Sequence, residues 1–543
     1  MSFDSWSATA TLGDLLVQSA SRFPERNAIV FPESALTYAE LLEGSVKVAR
    51  GIIGLGVAPR SNIGLLANNG HELVTGLFGA WLANCVAVPL NARHKEHELG
   101  YIIDNAQIAL LLTAAGDTSH VDFRESIASA LPSLASAAAG DLALSEAPML
   151  RHIVLLSGDA PRAFTAAETF TAAANEVGEA EVDHRRRCTR LRDIATIIYT
   201  SGTTANPKGC MLTHEAMSHG PVERADKRFR SGECDITWGG GPLFHIGSLA
   251  PFIGSIGASG TYLTDTFFNP ARAVALMKRE GVTAMWPWFP AILQPLLDQP
   301  DFVAATEKVR SMLLIGPAAL VYRVQKLLPK AEIMQACGMT ETSGIFALSD
   351  PDETPEQRAT SNGKAVPGIE LRIVDDDGAD VPSGIAGEIW VRGYCVMEGY
   401  YRDPVKSAEA LDAEGWLHTG DLYTRSADGR LIFNGRAKDM LKVGGENVAA
   451  IEVEAYLCSH PAVRFAEVVG RPDPRLDEVP VAFVELMPGT EASADDLIAH
   501  CKGRIAGYKV PRAVHFVKAE AWPMSATKVN KRELRAWLAK LEP

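Results

Sequence analysis

Residues 194–209 read IATIIYTSGTTANPKG. The first seven letters are mostly apolar and β-branched, which predicts a buried strand. Glycine and hydroxyl residues follow, so backbone N–H groups and side chains can converge on phosphate oxygens, and Lys208 adds a positive charge. This is not a Walker A loop, because Gly209 follows Lys208 where that pattern requires Ser or Thr. The stretch predicts a strand that ends in a polyphosphate-binding loop, with a plain polar connection as the alternative.

Helical and strand patterns alternate on both sides of this loop. They run through residues 36–113 and continue to about residue 350, a rhythm typical of βαβ units around parallel sheets. Residues 114–190 are rich in Ala, Ser and Glu and are interpreted as irregular surface structure. For the arginine-rich stretch DHRRRCTRLRD (183–193), solvation is the favoured interpretation and a phosphate-bearing ligand the alternative.

The sequence changes character near residue 369. ELRIVDDDG, GEIWVRG and GRLIFNG are short strand patterns joined by Gly and Asp turns, which predict a small antiparallel unit over about 369–434. From Gly435 onward, about a hundred residues carry strands and helices of their own, enough for a separate domain. We therefore predict an N-terminal domain over residues 1–434 and a C-terminal domain over 435–543.

Composition excludes several classes of protein. The 543 residues are 47% apolar, and 52 Lys plus Arg against 66 Asp plus Glu give a net charge of −14, so a disordered chain and a nucleic-acid partner are both disfavoured. The eight cysteines form no CxxC pair, and the start, MSFDSWSATATLGDLL, lacks a signal-peptide pattern. We expect a reduced, cytoplasmic protein. The uncharged stretch 242–263 contains Gly, Ser and Pro throughout, which favours a buried helix over a membrane span.

The loop TSGTTxxPKG resembles the phosphate loop of the adenylate-forming superfamily, which includes acyl-CoA and aryl-CoA synthetases, luciferases and peptide-synthetase adenylation domains. Further segments match in the expected order between about Leu36 and Leu534: GPLFHIG (241–247), QACGMTE (335–341), GEIWVRG (387–393), GWLHTGD (415–421), GRAKDMLKVGGENV (435–448) and PMSATKVNKREL (523–534). The resemblance implies a mixed α/β, multi-domain fold. Two doubly wound subdomains and a small β-barrel-like subdomain would form the large N-terminal domain, followed by a mobile α+β C-terminal domain.

The resemblance also implies an ATP site. It makes Glu341 the Mg²⁺ ligand, places Thr340 beside the phosphates, and assigns Asp421 to the ribose hydroxyls with Arg436 in support. A hard carboxylate is the ligand that Mg²⁺ prefers, and a carboxylate can accept two hydrogen bonds from a diol. The full set of expected nucleotide-binding residues is Thr200, Ser201, Gly202, Thr203, Thr204, Lys208, Gly316, Ala318, Cys337, Gly338, Met339, Thr340, Asp421 and Arg436.

Similar enzymes carry a catalytic lysine near the C-terminus, which the resemblance assigns to Lys528. The usual preceding glycine is missing, and Lys531 is the alternative. A cation between carboxylate and α-phosphate would hold both reactants and offset developing charge. His245 is expected where the carboxylate and thiol pockets meet. A hinge at about 436–439, with Lys438, would turn the C-terminal domain between two orientations. The second of these would bring Lys442, Gly444, Gly445 and Glu446 to the thiol channel.

The acyl pocket is predicted from the same comparison. Its expected residues are Trp238, His245, Trp286, Trp288, Phe289, Ile315, Ser343 and Gly344. They form an apolar set without an evident buried cation or anion, which favours an uncharged fatty, aryl or polycyclic acid, although the aromatic residues alone fit a plain core equally well. Three positions depart from the family pattern: Ala205 and Pro317 replace glycines, and Cys337 replaces a tyrosine.

Together these features predict an ATP-dependent carboxylic acid:CoA ligase that forms acyl-AMP, releases pyrophosphate, and then makes the thioester. Its cofactors and substrates would be ATP, Mg²⁺, CoA and a small carboxylic acid. One alternative is an enzyme that loads an acyl carrier protein, and another is a non-catalytic nucleotide- or acyl-binding protein. A homodimer is compatible with the sequence.

Overall fold

The structure is a computed structural model that describes residues 9–116, 121–140, 142–200, 206–229, 234–436, 440–443, 446–473, 475–525 and 528–541. Two large, mainly parallel sheets with helices on both faces carry the first 335 residues or so. Smaller antiparallel sheets follow, and a further mixed sheet forms the C-terminal part. This is the predicted mixed α/β fold.

The first large sheet contains the strand that precedes the phosphate loop. In spatial order its strands are His152–Leu155, Ile108–Thr113, Asn62–Leu66, Val86–Pro89, Ile194–Thr200 and Lys208–Thr213. All neighbours are parallel except the last two, which form a hairpin. The predicted loop therefore connects the two strands of this edge hairpin, and the first of these strands is parallel to its other neighbour.

The second large sheet carries the residues predicted for the acyl pocket. In spatial order its strands are Glu332–Met334, Ser311–Leu314, Ala284–Trp288, Ile236–Gly239, Thr261–Leu263, Asn27–Val30 and Ala35–Thr37. Only the last pair is antiparallel. Both large sheets are thus of the doubly wound type, in which ligands bind beyond the carboxyl ends of the strands.

Helices cover both faces of these sheets. The α-helices of the N-terminal part are Leu12–Arg22, Tyr38–Gly54, His71–Leu82, Glu96–Asn105, Phe123–Ala130, Ala167–Asn175, Glu179–Cys188, His214–Glu223, Ile246–Gly257, Pro270–Glu280, Pro290–Leu297, Phe302–Ala305, Ala318–Leu327, Pro355–Thr360 and Pro404–Ala410. A π-helical turn, Arg224–Arg228, continues one of them, and short 3-10 turns occupy Pro132–Ala135 and Thr340–Thr342. Capping residues determine where several of these helices begin. Thr37 and Glu40, for example, form a capping box at the start of Tyr38–Gly54.

The largest apolar core lies between the two large sheets. It contains helices Tyr38–Gly54, His71–Leu82 and Ile246–Gly257, whose buried faces contact side chains from both sheets. A second core covers the opposite face of the sheet with Ala284–Trp288, and a third covers the outer face of the sheet with Ile194–Thr200. Each sheet is therefore buried on both faces, as near-continuous apolar strands require.

Antiparallel sheets follow the second large sheet. One has the strands Ala336–Met339, Gly344–Leu348 and Lys364–Ala365, and the next has Ile369–Val374, Ala386–Gly393, Leu417–Arg425 and Leu431–Arg436. The second of these corresponds to the predicted antiparallel unit. The alternating burial of Ala386–Gly393 shows one face of the sheet on the core and the other toward solvent.

The C-terminal part is built on one mixed sheet. Its strands are Glu446–Ala449, Met440–Val443, Asp477–Leu486, Val463–Asp473 and Ala513–Phe516, with a separate short ribbon of Met524–Ser525 and Lys528–Val529. The helices Ala450–Leu457, Ala494–Cys501 and Lys531–Leu541 pack on it, and 3-10 turns occupy Gly507–Lys509 and Ala519–Ala521. Separate apolar clusters form its core.

The prediction of irregular structure over residues 114–190 was wrong. Helices Phe123–Ala130, Ala167–Asn175 and Glu179–Cys188 form there, because small, charge-rich stretches with good helix formers need only a narrow apolar stripe to dock. The arginines of this region make ion pairs: Arg186 with Asp14 and Asp183, and Arg192 with Glu215.

The uncharged stretch 242–263 forms the buried helix Ile246–Gly257, followed by the strand Thr261–Leu263. The stretch is therefore a buried core element, as the sequence predicts. Across the described ranges, no helix combines the length and apolar character needed to cross a membrane.

Candidate active site

The two ends of the predicted phosphate loop lie side by side. Thr200 pairs with Lys208 across the hairpin, whereas Ser201, Gly202, Thr203, Thr204 and Ala205 fall outside the described residues. The Lys208 ammonium lies 4.0 Å from the centroid of the Tyr400 ring. Because a ring face attracts a cation, Tyr400 holds Lys208 at the base of the loop.

Glu341 occupies a short turn, Thr340–Thr342, between two antiparallel strands. Its carboxylate is buried, and Oε1 accepts a hydrogen bond of 2.9 Å from the Tyr400 hydroxyl. Burial, and then the charge of Glu341, raise the pKa of Tyr400, so this phenol stays protonated and donates. Tyr400 thus contacts two predicted site residues. Sequence reasoning missed it, since a tyrosine in the loop GYYRDP (399–404) is indistinguishable from a surface residue.

The surroundings of Glu341 suit Mg²⁺. No Lys or Arg of the described residues forms an ion pair with its carboxylate, which accepts its hydrogen bond from the neutral Tyr400 hydroxyl. Nowhere in the described ranges do three His, Cys, Asp or Glu side chains cluster to hold a metal alone. Mg²⁺ commonly takes one or two carboxylates and completes its shell with water and substrate phosphates. Glu341, which Tyr400 connects to Lys208, fits that pattern, with Thr340 adjacent in sequence.

Asp421 and Arg436 form an ion pair of 2.9 Å between Oδ1 and Nε. They are register partners on the strands Leu417–Arg425 and Leu431–Arg436, so the sheet itself brings them together. Asp421 is buried, whereas the Arg436 side chain is 41% exposed. The pair can present a carboxylate to a diol and a guanidinium to a phosphate.

Cys337, which replaces the family's tyrosine, is buried beside another aromatic residue. It lies near enough to Tyr423 for the two side chains to interact, and burial raises the pKa of both groups. The Tyr423 ring centroid lies 5.2 Å from that of Phe433 and 6.3 Å from that of Phe346. An aromatic cluster therefore stands next to position 337 although the residue at that position is not aromatic.

The segment 316–318 is held by Gln335. The Gly316 N–H donates to Gln335 Oε1 at 3.1 Å, and Gln335 Nε2 donates to the carbonyls of Arg358 and Ala359. Pro317 caps helix Ala318–Leu327 in an extended conformation, which accommodates the departure from glycine at this position. Gln335 is a supporting residue that the sequence analysis did not identify.

Gly338 and Met339 end the strand that leads into the Glu341 turn. A Cβ at Gly338 would lie 2.4 Å from the carbonyl oxygen of Gly344, closer than real Cβ atoms approach, so this position accepts glycine alone. The strands can approach closely here, and Ser343 and Gly344 close the turn at φ values of +50° and +101°.

His245 caps helix Ile246–Gly257. Its Nδ1 accepts a hydrogen bond of 3.1 Å from the Gly247 N–H, so the neutral ring carries its proton on Nε2. Burial, together with the charge of Lys528, lowers the pKa of His245 to about 4. At neutral pH this histidine is therefore an uncharged donor.

Lys528 reaches the N-terminal site from the C-terminal part. Its ammonium lies 4.8 Å from the centroid of the Phe289 ring. The residue is solvent-exposed overall, yet enough protein surrounds the ammonium for desolvation, and then the charge of Arg436, to lower its pKa. Asp421 and Glu341 act on it in the opposite direction. Lys528 therefore shares its surroundings with the nucleotide and acyl residues.

Lys531, the alternative, lies elsewhere. Its ammonium pairs with Glu454 and, at 3.2 Å, with Glu467 inside the C-terminal part. Glu467 is half-buried, and desolvation followed by the charge of Glu454 raises its pKa. The structure brings Lys528 to the predicted site and keeps Lys531 in an internal ion-pair cluster.

A cavity lies against helix Ile246–Gly257, which His245 caps, with about 650 Å³ of space free of protein atoms, part of it open to solvent. Trp286, Trp288 and Gly344 line it, and the Trp286 ring makes an edge contact with Phe229 at 5.0 Å. Trp288 adopts a left-handed backbone with φ +62°, and its Nε1 is buried without a partner among the described residues. A bulky residue with a left-handed backbone conformation is strained, and such strain is typical of ligand sites.

The other residues predicted for the acyl pocket do not all lie at the cavity. Phe289 contacts Lys528, Ile315 donates its N–H to the Trp288 carbonyl, and the buried Ser343 hydroxyl lacks a described partner. The structure does not bring Trp238 to the cavity. Successive residues of a strand face opposite sides, so Thr237 lines the cavity while Trp238 packs in the core on the other face of the sheet.

The interpretation of a pocket without a buried cation needs correction. Arg224 lines the cavity and is 7% exposed. The surrounding sequence, VERADKR (222–228), is mostly charged and is typical of an exposed helix face. The burial of Arg224 could therefore not be predicted from the sequence.

The residues predicted for the thiol channel are only partly described. Lys442 and Glu446 lie on the paired strands Met440–Val443 and Glu446–Ala449. Lys438, Gly444 and Gly445 fall outside the described residues. The roles of these five residues stay predictions.

Comparison with known proteins identifies the family of this chain. The family model described as "AMP-binding enzyme" matches residues 16–401, and that described as "AMP-binding enzyme C-terminal domain" matches residues 452–528. A ligase of Rhodococcus jostii (strain RHA1), named for joining a methyl-dioxo-octahydroindenyl propanoyl group to CoA, is 31% identical over 542 residues. That alignment covers 97% of this chain and 98% of the relative.

A second relative is the mitochondrial medium-chain acyl-CoA ligase ACSF2 of Homo sapiens, 29% identical over 540 residues, with 97% of this chain and 87% of the relative covered. Among solved structures, the anthranilate CoA ligase AuaEII in complex with anthranoyl-AMP aligns with a TM-score of 0.84 and 27% identity. The alignment covers 100% of this chain and 99% of that one. The chain belongs to the AMP-binding enzyme family and is an AMP-forming acid–thiol ligase of the acyl-CoA synthetase type.

Proposed function

We propose that the protein joins a carboxylic acid to CoA in two steps at the site described above. First, a carboxylate oxygen attacks the α-phosphorus of ATP, and the bond to the bridging oxygen breaks, so that acyl-AMP forms and pyrophosphate leaves. Second, the CoA thiol loses its proton and its sulfur attacks the acyl carbon, and AMP leaves with the electrons of the broken C–O bond. The observation that carries this proposal is the contact of the Lys528 ammonium with the Phe289 ring, within range of the charges of Glu341 and Asp421.

Each side chain of the site has a different role in the first step. The Lys528 ammonium attracts both the carboxylate and the α-phosphate, which are both anionic, and so brings them together. The neutral His245 donates from Nε2 to the carboxylate and orients it without adding charge. Asp421 accepts from the ribose hydroxyls, and Arg436 and Lys208 face the phosphates. Mg²⁺, held by Glu341, would neutralise phosphate charge when bound.

The acid is inferred to have a largely apolar body. Trp286 and Trp288 offer aromatic faces to the cavity, and apolar burial in such a pocket provides most of the affinity for a ring or chain. The relatives named above act on a polycyclic propanoyl group, a medium-chain acyl group and anthranilate. Fatty, aryl and polycyclic acids are therefore the classes to test.

We infer CoA as the acceptor, with an acyl carrier protein as the second candidate, because the named relatives are CoA ligases. The second step needs the Lys528 side chain to leave, and a turn of the C-terminal part about residues 436–439 would exchange it for Lys442 and the loop with Gly444, Gly445 and Glu446. The cysteines are all unpaired, which supports a reducing, cytoplasmic setting.

The test is mass spectrometry of reactions that contain MgATP and pooled fatty, aryl and polycyclic acids, with and without CoA. We expect acyl-AMP without CoA and acyl-CoA with it. Acyl-AMP that persists in the presence of CoA, but transfers to a phosphopantetheinylated carrier protein, would replace CoA by that acceptor. Binding of ATP without pyrophosphate release for any acid would contradict the ligase.

A further inference from the structure

Arg224 occupies an unusual place for a charged residue. It is the first residue of the π-helical turn Arg224–Arg228. The Phe229 N–H closes this turn by donating a hydrogen bond of 2.8 Å to the Arg224 carbonyl. The residue is buried and lines the same cavity as Trp286 and Trp288. Its Nε has no hydrogen-bond partner among the described residues, and no described carboxylate forms an ion pair with its guanidinium. Single π turns of this kind are frequent at functional sites.

The neighbouring charges do not neutralise Arg224 directly. Glu223 pairs with His219 and with Lys227, at 3.6 and 3.4 Å. Asp235, which also lines the cavity, accepts a hydrogen bond of 3.1 Å from the Thr283 hydroxyl. Burial lowers the pKa of Arg224, but a guanidinium remains charged in proteins.

The fold makes room for the guanidinium rather than covering it. A Cβ on Gly220 would lie 2.7 Å from Arg224 Nη1 and 3.0 Å from the Tyr394 hydroxyl, so glycine at this position lets both polar groups approach. Tyr394 is itself stacked on His219, with ring centroids 4.1 Å apart. The Arg224 guanidinium is therefore a cation at the wall of a cavity that Phe229, Trp286 and Trp288 also line.

We propose that Arg224 binds an oxygen acceptor on the part of the acid remote from the reacting carboxylate, so that the enzyme selects acids that carry a second carboxylate or a ketone. The inference rests on the proposed function and adds a substrate class to it. A carboxylate matches the planar guanidinium with two parallel hydrogen bonds and compensates its charge, whereas a ketone accepts without compensating charge. A distal carboxylate is therefore the better ligand of the two.

The expected size of the preference for acids with a distal oxygen acceptor depends on the burial of the Arg224 guanidinium. A substrate without a distal acceptor leaves the guanidinium buried and unpaired, which disfavours its binding, whereas one with the acceptor gains charge-assisted hydrogen bonds. We expect a ratio of kcat/KM on the order of 10 to 100 in favour of the acid with a distal carboxylate over its unsubstituted analogue.

The experiment compares three acids of equal chain length: a dicarboxylic acid, a monocarboxylic acid with a ketone near its far end, and the unsubstituted acid. Acyl-AMP and pyrophosphate are measured for each, over several chain lengths, with the full-length protein. The expected order of kcat/KM is dicarboxylic acid, oxo acid, unsubstituted acid. Activation of all three at equal efficiency would overturn the inference and leave the ligase standing, whereas activation of no acid in this set or in the broader pool would contradict the ligase itself.

Variants connect the preference to the residue. Arg224→Met should abolish the preference for both oxygen-bearing acids and leave the unsubstituted acid active. Arg224→Gln should lose the preference for the dicarboxylic acid and keep a part of that for the oxo acid, because the amide still donates. Lys227→Met, which removes an exposed cation from the same turn, is the matched control and should change neither ratio. Unchanged ratios in the Arg224 variants would refute the assignment, and Arg224→Gln decides where Arg224→Met does not fold.

Discussion

Lys528 illustrates chemistry at the scale of one residue. Its ammonium lies over the Phe289 ring, and its charge contributes to the lowered pKa of His245. In the proposed mechanism this cation attracts both the carboxylate and the α-phosphate. The lowered pKa of Lys528 shows that desolvation accompanies this placement, and electrostatic attraction strengthens when water is excluded. The missing glycine before it does not prevent the side chain from reaching the site.

For Lys528→Ala we expect acyl-AMP formation to fall by about 100-fold or more, since an interaction with transition-state charge is removed. Thioester formation from supplied acyl-AMP should remain, because that step takes place after the lysine has left. Pyrophosphate release and thioester yield are measured separately. Lys540→Ala, an exposed lysine of helix Lys531–Leu541, serves as the control, and equal loss of both steps in Lys528→Ala would contradict the assigned role.

Tyr400 offers a second residue-scale prediction. Tyr400→Phe removes the hydroxyl that donates to Glu341 but keeps the ring beneath Lys208. Hydrogen bonds to charged groups contribute about 1.5–3 kcal/mol, so we expect kcat/KM for MgATP to fall by at least about tenfold while the KM for the acid changes little. Tyr401→Phe is a matched control, because that hydroxyl bonds Gln107 instead. Identical kinetics of the two variants would show that the Glu341 contact is irrelevant.

At the scale of secondary-structure elements, the hairpin that carries Glu341 depends on close backbone contact. The strands Ala336–Met339 and Gly344–Leu348 meet with a register shift between Cys337 and Gly338, and the intervening turn contains Thr340 and Glu341. A carboxylate is thus held by a tight turn between two strands and not by a flexible loop, which favours a fixed position for a metal ligand.

We predict that Gly338→Ala destabilises this hairpin. The new Cβ would meet the Gly344 carbonyl, and the backbone must shift, at a cost of about 1–3 kcal/mol. Thermal unfolding should show a lowered Tm, and acyl-AMP formation should drop because Glu341 moves with the strand. Gly507→Ala adds the same methyl group where the described structure leaves open space, and it should leave both readouts unchanged. A Gly338→Ala variant with unchanged Tm and activity would contradict this account.

At the scale of the whole molecule, contacts between the two parts of the chain hold the orientation that presents Lys528. Arg464 of the C-terminal sheet pairs with Asp298, at the end of helix Pro290–Leu297, at 2.7 Å and with Glu485 at 3.0 Å. The Arg464 side chain is only 10% exposed, so this bridge is partly shielded from solvent. It favours the orientation for the first step.

Asp298→Asn should weaken that orientation while Arg464 keeps Glu485. Exposed or partly exposed pairs contribute up to about 1 kcal/mol, so we expect acyl-AMP formation to slow by about two- to fivefold. Thioester formation from supplied acyl-AMP should be unchanged or faster. Asp301→Asn, which breaks a nearby exposed pair with Lys278 on the N-terminal part alone, is the control. Rapid-quench measurement of each step separates the two effects, and an equal slowing of both would exclude an orientational role.

The sequence by itself determined the family and the mixed α/β fold, and it predicted the nucleotide site, because that chemistry lies in contiguous motifs whose order can be read directly. It also assigned Lys528 and Glu341, through their fixed places in such motifs. It failed for residues 114–190, where helices depend on docking, and for Trp238, whose direction depends on which face of a strand meets the cavity.

The tertiary structure alone decided which distant side chains meet. The hydrogen bond of Tyr400 with Glu341 joins residues 59 positions apart, and the approach of Lys528 to Phe289 joins the two parts of the chain. Arg224 follows the same rule: its sequence surroundings are those of an exposed helix, and only packing turns it into the cavity. Burial and long-range contact arise from the folded chain as a whole, so no local pattern encodes them.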